Sequence, residues 1–274
     1  MKVCVLGSTG MLGSAVGRYF IEKYGEDNVL LTYRSSDVAW GKRRLQFDPL
    51  TDDLGHALLR IKGSGFENII NCIGTIKPFM KNNVANAIRL NSLFPRDLAA
   101  YYRGSNVKVI HITTDCVFSG KEGNYTEESP HDALDDYGKT KSLGEPEDIM
   151  VLRTSIIGEE IHKQASLIAW VQSEAGNDIN GFTNHFWNGV TTTTYASVVD
   201  TILRLGLYEP GLFHVFSDTV DKYQLVSMIN DRFKLGCKIT PVEAGTPCDR
   251  TLATVKSLNA KLDVPTLHRQ IEEM

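Results

Sequence analysis

Residues 2–13 read KVCVLGSTGMLG, in which a short apolar run leads into three glycines spaced Gly-x-x-Gly-x-x-Gly. The run predicts a buried strand, and the apolar stretch that follows it predicts a helix. A strand, a glycine-rich turn and a helix form the context of a dinucleotide fingerprint, although the spacing departs from Gly-x-Gly-x-x-Gly. The glycines let the backbone approach a pyrophosphate, and the helix N-terminus offers free N–H groups to the phosphates. The alternative is a plain strand–turn–helix with no ligand. The residues expected to contact a nicotinamide cofactor are Gly7, Ser8, Thr9, Gly10, Met11 and Leu12.

Strand and helix patterns alternate from this turn to about residue 155, and this order predicts an α/β fold with a Rossmann-type doubly wound parallel sheet. We interpret residues 1–155 as an NAD(P)-binding domain. Residues 156–274 are interpreted as a small C-terminal substrate-binding lobe, with interleaved segments and a soft boundary. The predicted sheet strands are 2–6, 28–33, 45–48, 66–72, 107–112 and 150–155. The elements predicted for the lobe are helices at 166–173, 195–207 and 222–233, a strand at 211–216 and a loop-rich stretch at 176–194.

Composition excludes several classes of protein. The formal net charge of the 274 residues is −4, so no general affinity for nucleic acid or anionic membranes is expected. No apolar stretch approaches the ~18 residues of a membrane span. The five cysteines form no Cys-x-x-Cys pair and no metal-ligand spacing, which suits reduced thiols in the cytoplasm and predicts no metal site. The apolar run at the start is too short for a signal peptide.

The ends of the predicted strands suggest further cofactor contacts. Arg34 and Ser35 stand where an acidic residue would bind a ribose 2′-hydroxyl, and a guanidinium suits a 2′-phosphate better. We therefore predict NADPH in preference to NADH, the alternative being that Asp37 binds the ribose. Asp48 ends the third strand and either accepts from an adenine amino group or caps the next helix. The stretch Cys72, Ile73 and Gly74 follows the fourth strand, at the edge of the sheet where ligands bind.

Tyr137 and Lys141 lie four residues apart in YGKTK and would share one face of a helix. A neighbouring ammonium favours phenolate, so we predict that Lys141 lowers the pKa of Tyr137 and produces a general acid/base. The pair alone would also fit an ordinary surface helix. It becomes informative together with a nucleotide site and with a polar group upstream, such as Thr114 at the end of the fifth strand.

Together, these segments resemble the extended short-chain dehydrogenase/reductases, and more closely the dTDP-4-dehydrorhamnose reductase group. The matching segments are GSTGMLG, TTDCVFSG (113–120), residues 123–145 and LRTSIIG (152–158), and they cover the first ~160 residues. The resemblance implies an NADPH-dependent reductase of the 4-keto group of a nucleotide-linked 6-deoxy sugar, in surface-polysaccharide biosynthesis. It also implies that Thr114 binds the substrate carbonyl, Tyr137 protonates the alkoxide, and Lys141 holds the nicotinamide ribose.

The chain departs from this family at Cys116, where the rhamnose reductases usually have Tyr. The resemblance also extends to epimerase/reductases like GDP-fucose synthase, in which a Cys at this offset and a His exchange protons beside the ketone. His185 is the candidate His here. A sugar dehydratase is disfavoured because no Glu follows Asp115. The alternative for Cys116 is a small buried hydrophobe.

A different class of function is also open, because the regulatory subunit of methionine adenosyltransferase resembles the same group. In that case the fold would be a non-catalytic NADP-binding subunit. The sequence does not set the nucleotide, the sugar or the oligomeric state, and a homodimer is compatible with it. The residues expected to line the substrate pocket are Cys116, Val117, Phe118, His185, Trp187 and Asn188.

Overall fold

The computed structural model describes residues 1–35, 39–80, 83–161 and 165–274. Its centre is a parallel sheet of seven strands in the order β11-β6-β5-β4-β1-β2-β3. The predicted doubly wound α/β fold is confirmed. The strands are β1 (Val3–Leu6), β2 (Val29–Tyr33), β3 (Arg43–Gln46), β4 (Asn68–Asn71), β5 (Lys108–Thr114), β6 (Met150–Thr154) and β11 (Gly211–His214).

Helices cover both faces of the sheet, as the continuous apolar runs of its strands require. On one face, α1 (Met11–Tyr24) and α7 (Thr192–Arg204) bury an apolar cluster against the sheet. On the other face, α2 (Leu54–Gly63) and α4 (Phe94–Tyr102) bury a second cluster. Helix α7 and strand β11 therefore belong to the large sheet's layers, although both follow the predicted boundary at residue 155.

The smaller lobe has its own apolar core, which includes Ile168, Trp187 and Leu225. Five of the seven strands given below have only two or three residues, too few for a periodicity to show in the sequence. The stretch predicted as loop-rich contains three strands. The lobe elements are β7 (Ile156–Ile157), α6 (Leu167–Ser173), β8 (Asp178–Phe182), β9 (His185–Trp187), β10 (Val190–Thr191), β12 (Val220–Asp221), α8 (Lys222–Phe233), β13 (Lys238–Val242), β14 (Cys248–Asp249) and α10 (Leu267–Glu272). Helix α9 (Leu258–Lys261) packs on β11 and belongs to the large sheet's core.

The helical stretch between β4 and β5 is irregular. Helix α3 (Val84–Ala87) continues through a π-helical segment (Ile88–Leu93) into α4. Pro95 lacks the N–H that a residue inside a regular helix donates. The structure places Pro95 in the first turn of α4 and the irregularity just before it. π-helical turns are rare and often occur at functional sites.

The catalytic-helix candidate is α5 (Asp136–Leu143), which begins after Asp135. The Asp135 carboxylate accepts from the Gly138 N–H at 3.0 Å, as an N-cap does. Two glycines let α5 pack closely. A Cβ added to Gly138 would lie 2.4 Å from the Cys116 carbonyl oxygen, and one added to Gly144 would lie 1.7 Å from the Asn91 carbonyl oxygen. Any side chain there would push α5 away from the sheet edge.

Candidate active site

The glycine turn after β1 has a geometry that only glycine allows. Gly7 has φ +80°, and its N–H donates to the Thr32 hydroxyl at 2.9 Å. A Cβ added to Gly13 would lie 2.1 Å from the Gly7 carbonyl oxygen. The close approach of α1 to the end of β1 therefore depends on both residues.

The N-terminus of α1 suits an anion. Gly10 caps it without any side-chain hydrogen bond, and its first turn contains no acidic residue. The free N–H groups and the positive end of the helix dipole are available to a phosphate. Ser8 is committed to the fold, because both its N–H and its hydroxyl donate to the Thr32 carbonyl, at 3.0 and 2.9 Å. Leu12 is buried in the core, so it could contact a cofactor only through its backbone. Thr9 and Met11 are half-buried beside the turn.

The other predicted cofactor residues lie along the carboxyl edge of the sheet. Arg34 and Ser35 are exposed just after β2, next to β1 in the sheet, whereas Ser36 and Asp37 lie outside the described residues. Asp48 accepts from the Leu50 N–H at 3.0 Å in a turn. The expected capping role belongs instead to Asp53, which accepts from the His56 N–H at 2.6 Å.

The stretch after β4 meets the catalytic candidates. A Cβ added to Gly74 would lie 2.9 Å from Lys141 Nζ, so the ammonium lies at the carboxyl end of β4. The N–H of Ile73 donates to Asn71 Oδ1 at 3.1 Å, which fixes the turn. Cys72 is partly buried there. The structure thus brings together two predicted groups that are far apart in the sequence.

Thr114 ends β5 and is 8% exposed. Its hydroxyl donates to Asp115 Oδ1 at 3.0 Å and accepts from the Cys116 N–H at 3.1 Å. It also lies close enough to the Tyr137 phenol to affect the pKa of that group. The Thr114 hydroxyl and the Tyr137 phenol therefore lie beside each other at the carboxyl edge of the sheet.

The predicted lowering of the Tyr137 pKa is wrong. Burial raises the pKa of the phenol, and the charges of Cys116 and Asp115 act in the same direction, while the Thr114 hydrogen bond opposes them. Desolvation penalises a phenolate more than the neighbouring groups favour it. Tyr137 therefore keeps its proton at neutral pH and can act as a proton donor.

Lys141 is 6% exposed and lies one turn after Tyr137 on α5. Burial lowers the pKa of its ammonium to about 8, and the Glu145 carboxylate opposes that shift. A lysine in such a setting is a functional candidate, because an ordinary lysine avoids the cost of desolvation by pointing to water.

Asn91 is a site residue that the sequence did not reveal. It lies in the π-helical segment, is 0% exposed, and clamps the chain after β4 through two hydrogen bonds to the Thr75 backbone, at 2.9 and 3.1 Å. Its amide also donates to the Thr140 hydroxyl at 3.2 Å. Asn91 thereby joins the loop after β4 to the helix that carries Lys141.

Burial dominates the chemistry of Cys116. It raises the pKa of the thiol to about 12, and the Asp115 carboxylate acts in the same direction. A base for proton exchange beside a ketone would need a thiolate, which this environment disfavours. Cys116 is partly buried, and this environment favours the small-hydrophobe interpretation over the epimerase.

Three cations surround the Thr114–Cys116 segment, and the sequence did not indicate them. Arg250 donates to the carbonyl oxygens of Phe118 and Ser119 at 2.9 and 3.1 Å, and its charge acts on Asp115 and Cys116. The Lys222 ammonium lies 5.5 Å from the Trp187 ring centre and also acts on Asp115. Lys77 Nζ lies 6.0 Å from the Tyr137 ring centre. No spacing in the sequence links these residues.

Most of the predicted substrate residues are structural. Val117 and Phe118 are both 0% exposed, in a small apolar cluster. Trp187 is 5% exposed and packs within the lobe core. Asn188 is buried and holds the Leu252 backbone from both sides, at 2.8 and 2.9 Å. His185 contacts the Thr246 carbonyl at 3.0 Å.

The described residues include neither a metal-binding cluster nor a membrane-spanning helix. They contain no group of three or more His, Cys, Asp or Glu side chains that could hold a metal ion. None of the helices in those ranges is long and apolar enough to cross a membrane.

Comparison with known proteins gives one family match and several distant relatives. The model of the RmlD substrate binding domain matches residues 1–270. The probable low-salt glycan biosynthesis reductase Agl14 of Haloferax volcanii is 27% identical over 232 residues, covering 80% of this chain and 75% of that protein. Methionine adenosyltransferase 2 subunit beta of Xenopus tropicalis is 25% identical over 251 residues, covering 85% and 72%.

Solved structures share the fold along the whole chain. A hypothetical dTDP-4-dehydrorhamnose reductase from Sulfolobus tokodaii has a TM-score of 0.75 at 22% identity, covering 96% of this chain and 93% of its own. The dTDP-4-dehydrorhamnose reductase of Bacillus anthracis, in complex with NADP, has a TM-score of 0.75 at 16% identity, covering 99% and 97%. At these identities the likeness is one of fold.

Proposed function

The chain belongs to the RmlD substrate binding domain family, and on that basis we propose that it uses NADPH to reduce the 4-keto group of a nucleotide-linked 6-deoxy sugar for polysaccharide biosynthesis. It is an oxidoreductase of nucleotide sugars with an NAD(P)H site. The observation that carries the proposal is the meeting of Thr114, Tyr137 and Lys141 at the carboxyl edge of the sheet. The glycan biosynthesis reductase among the relatives supports the class of pathway.

The residues around the glycine turn fit a dinucleotide. The free N-terminus of α1 would hold the pyrophosphate, the exposed Arg34 the 2′-phosphate, and Lys141 the nicotinamide ribose. Bound NADPH would supply the hydride for the ketone. The 2′-phosphate assignment is what favours NADPH over NADH.

The protein's own residues supply the proton and the electrostatic support. As hydride adds to a ketone, negative charge develops on its oxygen, and catalysis requires donors aimed at that charge. The Thr114 hydroxyl has one proton, and it would turn from Asp115 to donate that proton's hydrogen bond to the oxygen. Tyr137 transfers its proton to the same oxygen. Because burial raises the pKa of the phenol, Tyr137 stays protonated in the free enzyme. The alkoxide formed by hydride addition is basic enough to remove that proton. The Lys141 ammonium stabilises the phenolate that remains.

Lys222 and Arg250 place positive charge on the other side of the site, although the protein as a whole carries a net charge of −4. Lys77 is paired with the Asp135 carboxylate at 2.9 Å. A nucleotide sugar carries a diphosphate, and this charge favours its entry and binding. Arg250 is the best-oriented of the three, because two backbone carbonyls fix its guanidinium. We assign it to the substrate's phosphates.

A second candidate is a non-catalytic NADP-binding regulatory subunit, and the similarity to methionine adenosyltransferase 2 subunit beta favours it. Against it, a scaffold gains nothing from a buried lysine that lowers its stability. The two candidates differ in turnover, not in cofactor binding.

The test is to incubate the protein with NADPH and, separately, with dTDP-, UDP- and GDP-linked 4-keto-6-deoxy sugars, and to identify the products by NMR. The proposal expects a 4-hydroxy product with one of them, and the sugar's configuration at the neighbouring carbons unchanged. Tight NADPH binding without any turnover would identify the regulatory subunit instead. A product with inverted configuration at a neighbouring carbon would support the epimerase/reductase hypothesis instead.

A further inference from the structure

Arg250, the residue assigned to the substrate's phosphates, takes its direction from the backbone that it binds. Its guanidinium donates to the carbonyl oxygens of Phe118 and Ser119, at 2.9 and 3.1 Å. Both acceptors belong to the main chain, so the direction of the guanidinium depends on how firmly that piece of chain is held. The side chain of Phe118 shows what holds it.

The Phe118 ring is 0% exposed and is enclosed by four side chains. The Tyr125 ring stacks on it, with the ring centres 4.2 Å apart and the planes 4° apart. The guanidinium carbon of Arg153 lies 4.9 Å from its centre. The rings of His131 and His214 meet it at angles of 80° and 75°, with centres 5.7 and 6.5 Å away. Stacked, edge-on and cation–π contacts of this kind each favour one orientation of the ring.

Arg153, on β6, joins these side chains into one network. Its side chain is 0% exposed. The terminal nitrogens donate to Nε2 of His214 and of His131, at 2.9 and 2.6 Å. Nε and one terminal nitrogen donate to the two carboxylate oxygens of Glu145, at 3.2 and 2.6 Å. Because the guanidinium is planar and rigid, its bonds to Glu145 also fix the places of the two imidazoles.

The proton positions on the two histidines follow from these bonds. A guanidinium can only donate, so both imidazoles accept through Nε2 and carry their proton on Nδ1. His214 Nδ1 then donates to the Ala253 carbonyl at 2.6 Å, and His131 Nδ1 donates to the Ser142 hydroxyl at 2.6 Å. Burial lowers the pKa of both histidines, which agrees with neutral rings.

The bond to Ala253 reaches the chain directly after Arg250. The Ala253 N–H donates to the Tyr125 carbonyl at 2.7 Å, and the Tyr125 N–H donates to the Thr251 carbonyl at 2.9 Å. Residues 251–253 are therefore held by His214 and Tyr125, two of the side chains that also enclose the phenyl ring. The network thus reaches Arg250 from both ends, through its guanidinium and through its backbone.

We propose that Arg153 and His214 are positioning residues that fix the guanidinium of Arg250 in the direction of the substrate's phosphates. They act through Phe118 and Ala253. The inference rests on the proposed function only in taking Arg250 as the phosphate ligand. When the link between Arg153 and His214, or that between His214 and Ala253, is lost, both supports of Arg250 loosen and its guanidinium becomes mobile.

The test follows hydrogen exchange at Nε–H of Arg250 by NMR of the ¹⁵N-labelled protein, with the signal identified by its loss in Arg250→Gln. His214→Asn keeps a donor near the Ala253 carbonyl and removes the acceptor of Arg153. His214→Gln keeps the acceptor and removes the donor. Each variant should speed the exchange of Arg250 by about tenfold, because each removes one hydrogen bond of the network.

Two controls separate this effect from a general loss of stability. Nε of Arg89, in the π-helical segment, donates to the Pro49 carbonyl at 3.3 Å and serves as a reference within the same spectrum. General loosening would speed both arginines, whereas the proposal expects Arg250 alone to respond. His268→Asn, the same chemical change at an exposed histidine on α10, should alter neither. Equal exchange of Arg250 in wild-type protein and in the folded His214 variants would overturn the proposal.

His131→Ala covers the case in which neither His214 variant folds. His131 is partly exposed, so its truncation is milder, yet it removes one acceptor of Arg153 and one contact to Phe118. The exchange of Arg250 should then rise by about threefold relative to the reference arginine. An unchanged ratio in this variant would also overturn the proposal.

Turnover gives a second readout. His214→Asn should raise KM for the nucleotide sugar severalfold and leave kcat and NADPH affinity within about twofold, as expected when only binding is weakened. The exchange measurement needs no substrate, so the two proposals can fail separately. A responsive Arg250 in a protein without turnover would refute the proposed reaction alone, and an unresponsive Arg250 in an active protein would refute this inference alone.

Discussion

At the cofactor end of the proposed active site, one glycine turn and the helix after it form the predicted binding site. At the substrate end, the contacts join residues more than a hundred positions apart. Gly7 and Gly13 shape the first within a single motif. At the second, Arg250 binds the carbonyl of Phe118, 132 residues earlier in the chain. Local spacing thus encodes one end of the cleft, and the packing of the lobe onto the sheet encodes the other. Substitutions at the two ends should therefore fail in different ways.

The largest effect is expected where the two ends meet. Tyr137→Phe should lower kcat by roughly 10²–10⁴-fold because it removes the proton donor and little else. NADPH affinity, followed by fluorescence titration, should stay within about twofold. Tyr101→Phe on α4 is the matched control, since this partly exposed tyrosine lies outside the site. Undiminished turnover in Tyr137→Phe would remove Tyr137 from the mechanism.

At the cofactor end, Gly13→Ala should weaken NADPH binding by roughly 10–100-fold, because the new Cβ forces α1 away from the Gly7 carbonyl at a cost of about 1–3 kcal/mol. Gly63→Ala is the control, since a Cβ at this helical position meets nothing within 4 Å. It should be neutral or stabilising by about 0.5–1 kcal/mol. Equal NADPH affinity in the two variants would mean that the turn does not bind the cofactor.

At the substrate end, Arg250→Gln should raise KM for the nucleotide sugar by about tenfold, since a charge-assisted hydrogen bond contributes about 1.5–3 kcal/mol. NADPH affinity should not change. A raised KM for the nucleotide sugar with unchanged NADPH affinity is the strongest test that the two ends of the site bind different ligands. Arg269→Gln, the same change at an exposed ion pair on α10, is the control. A KM unaffected by Arg250→Gln would contradict the phosphate assignment.

The smallest effect is expected from Arg34→Ala, which should weaken NADPH binding by roughly fivefold and leave NADH binding unchanged, because an exposed ion pair contributes only about 1 kcal/mol. NADH provides the control within the same experiment. If both cofactors weaken alike, Arg34 acts on the shared part of the dinucleotide, and the prediction of NADPH preference loses its basis.

The sequence predicted what depends on neighbouring residues. The glycine turn, the parallel sheet and the helix α8 over Lys222–Phe233 were foreseen, since spacing and periodicity fix them. Strand β3 lies two residues earlier than predicted, as expected for a short strand on the edge of the sheet. The place of β11 in the large sheet could not be predicted, because strand pairing depends on the whole fold.

The same distinction between local and long-range features applies to the residues of the proposed active site. Thr114, Tyr137 and Lys141 were predicted from motifs, and the structure brings them to one edge of the sheet. Asn91 was missed because a polar residue within a helix is usually solvated, and only the π-helical turn directs it inward. The Tyr137 pKa was predicted in the wrong direction because the sequence shows the charged neighbour but not the burial, which is the larger effect.

The hydrogen bonds between the segment around Thr251 and the loop around Asn124 also have a consequence for synthesis. The two residues lie 127 positions apart, so at about 5–20 residues per second the partner of the loop leaves the ribosome roughly 6–25 s later. The sheet can form in the meantime, but the loop beyond Thr114 cannot. A newly made chain should therefore bind its dinucleotide before it acquires a finished substrate pocket.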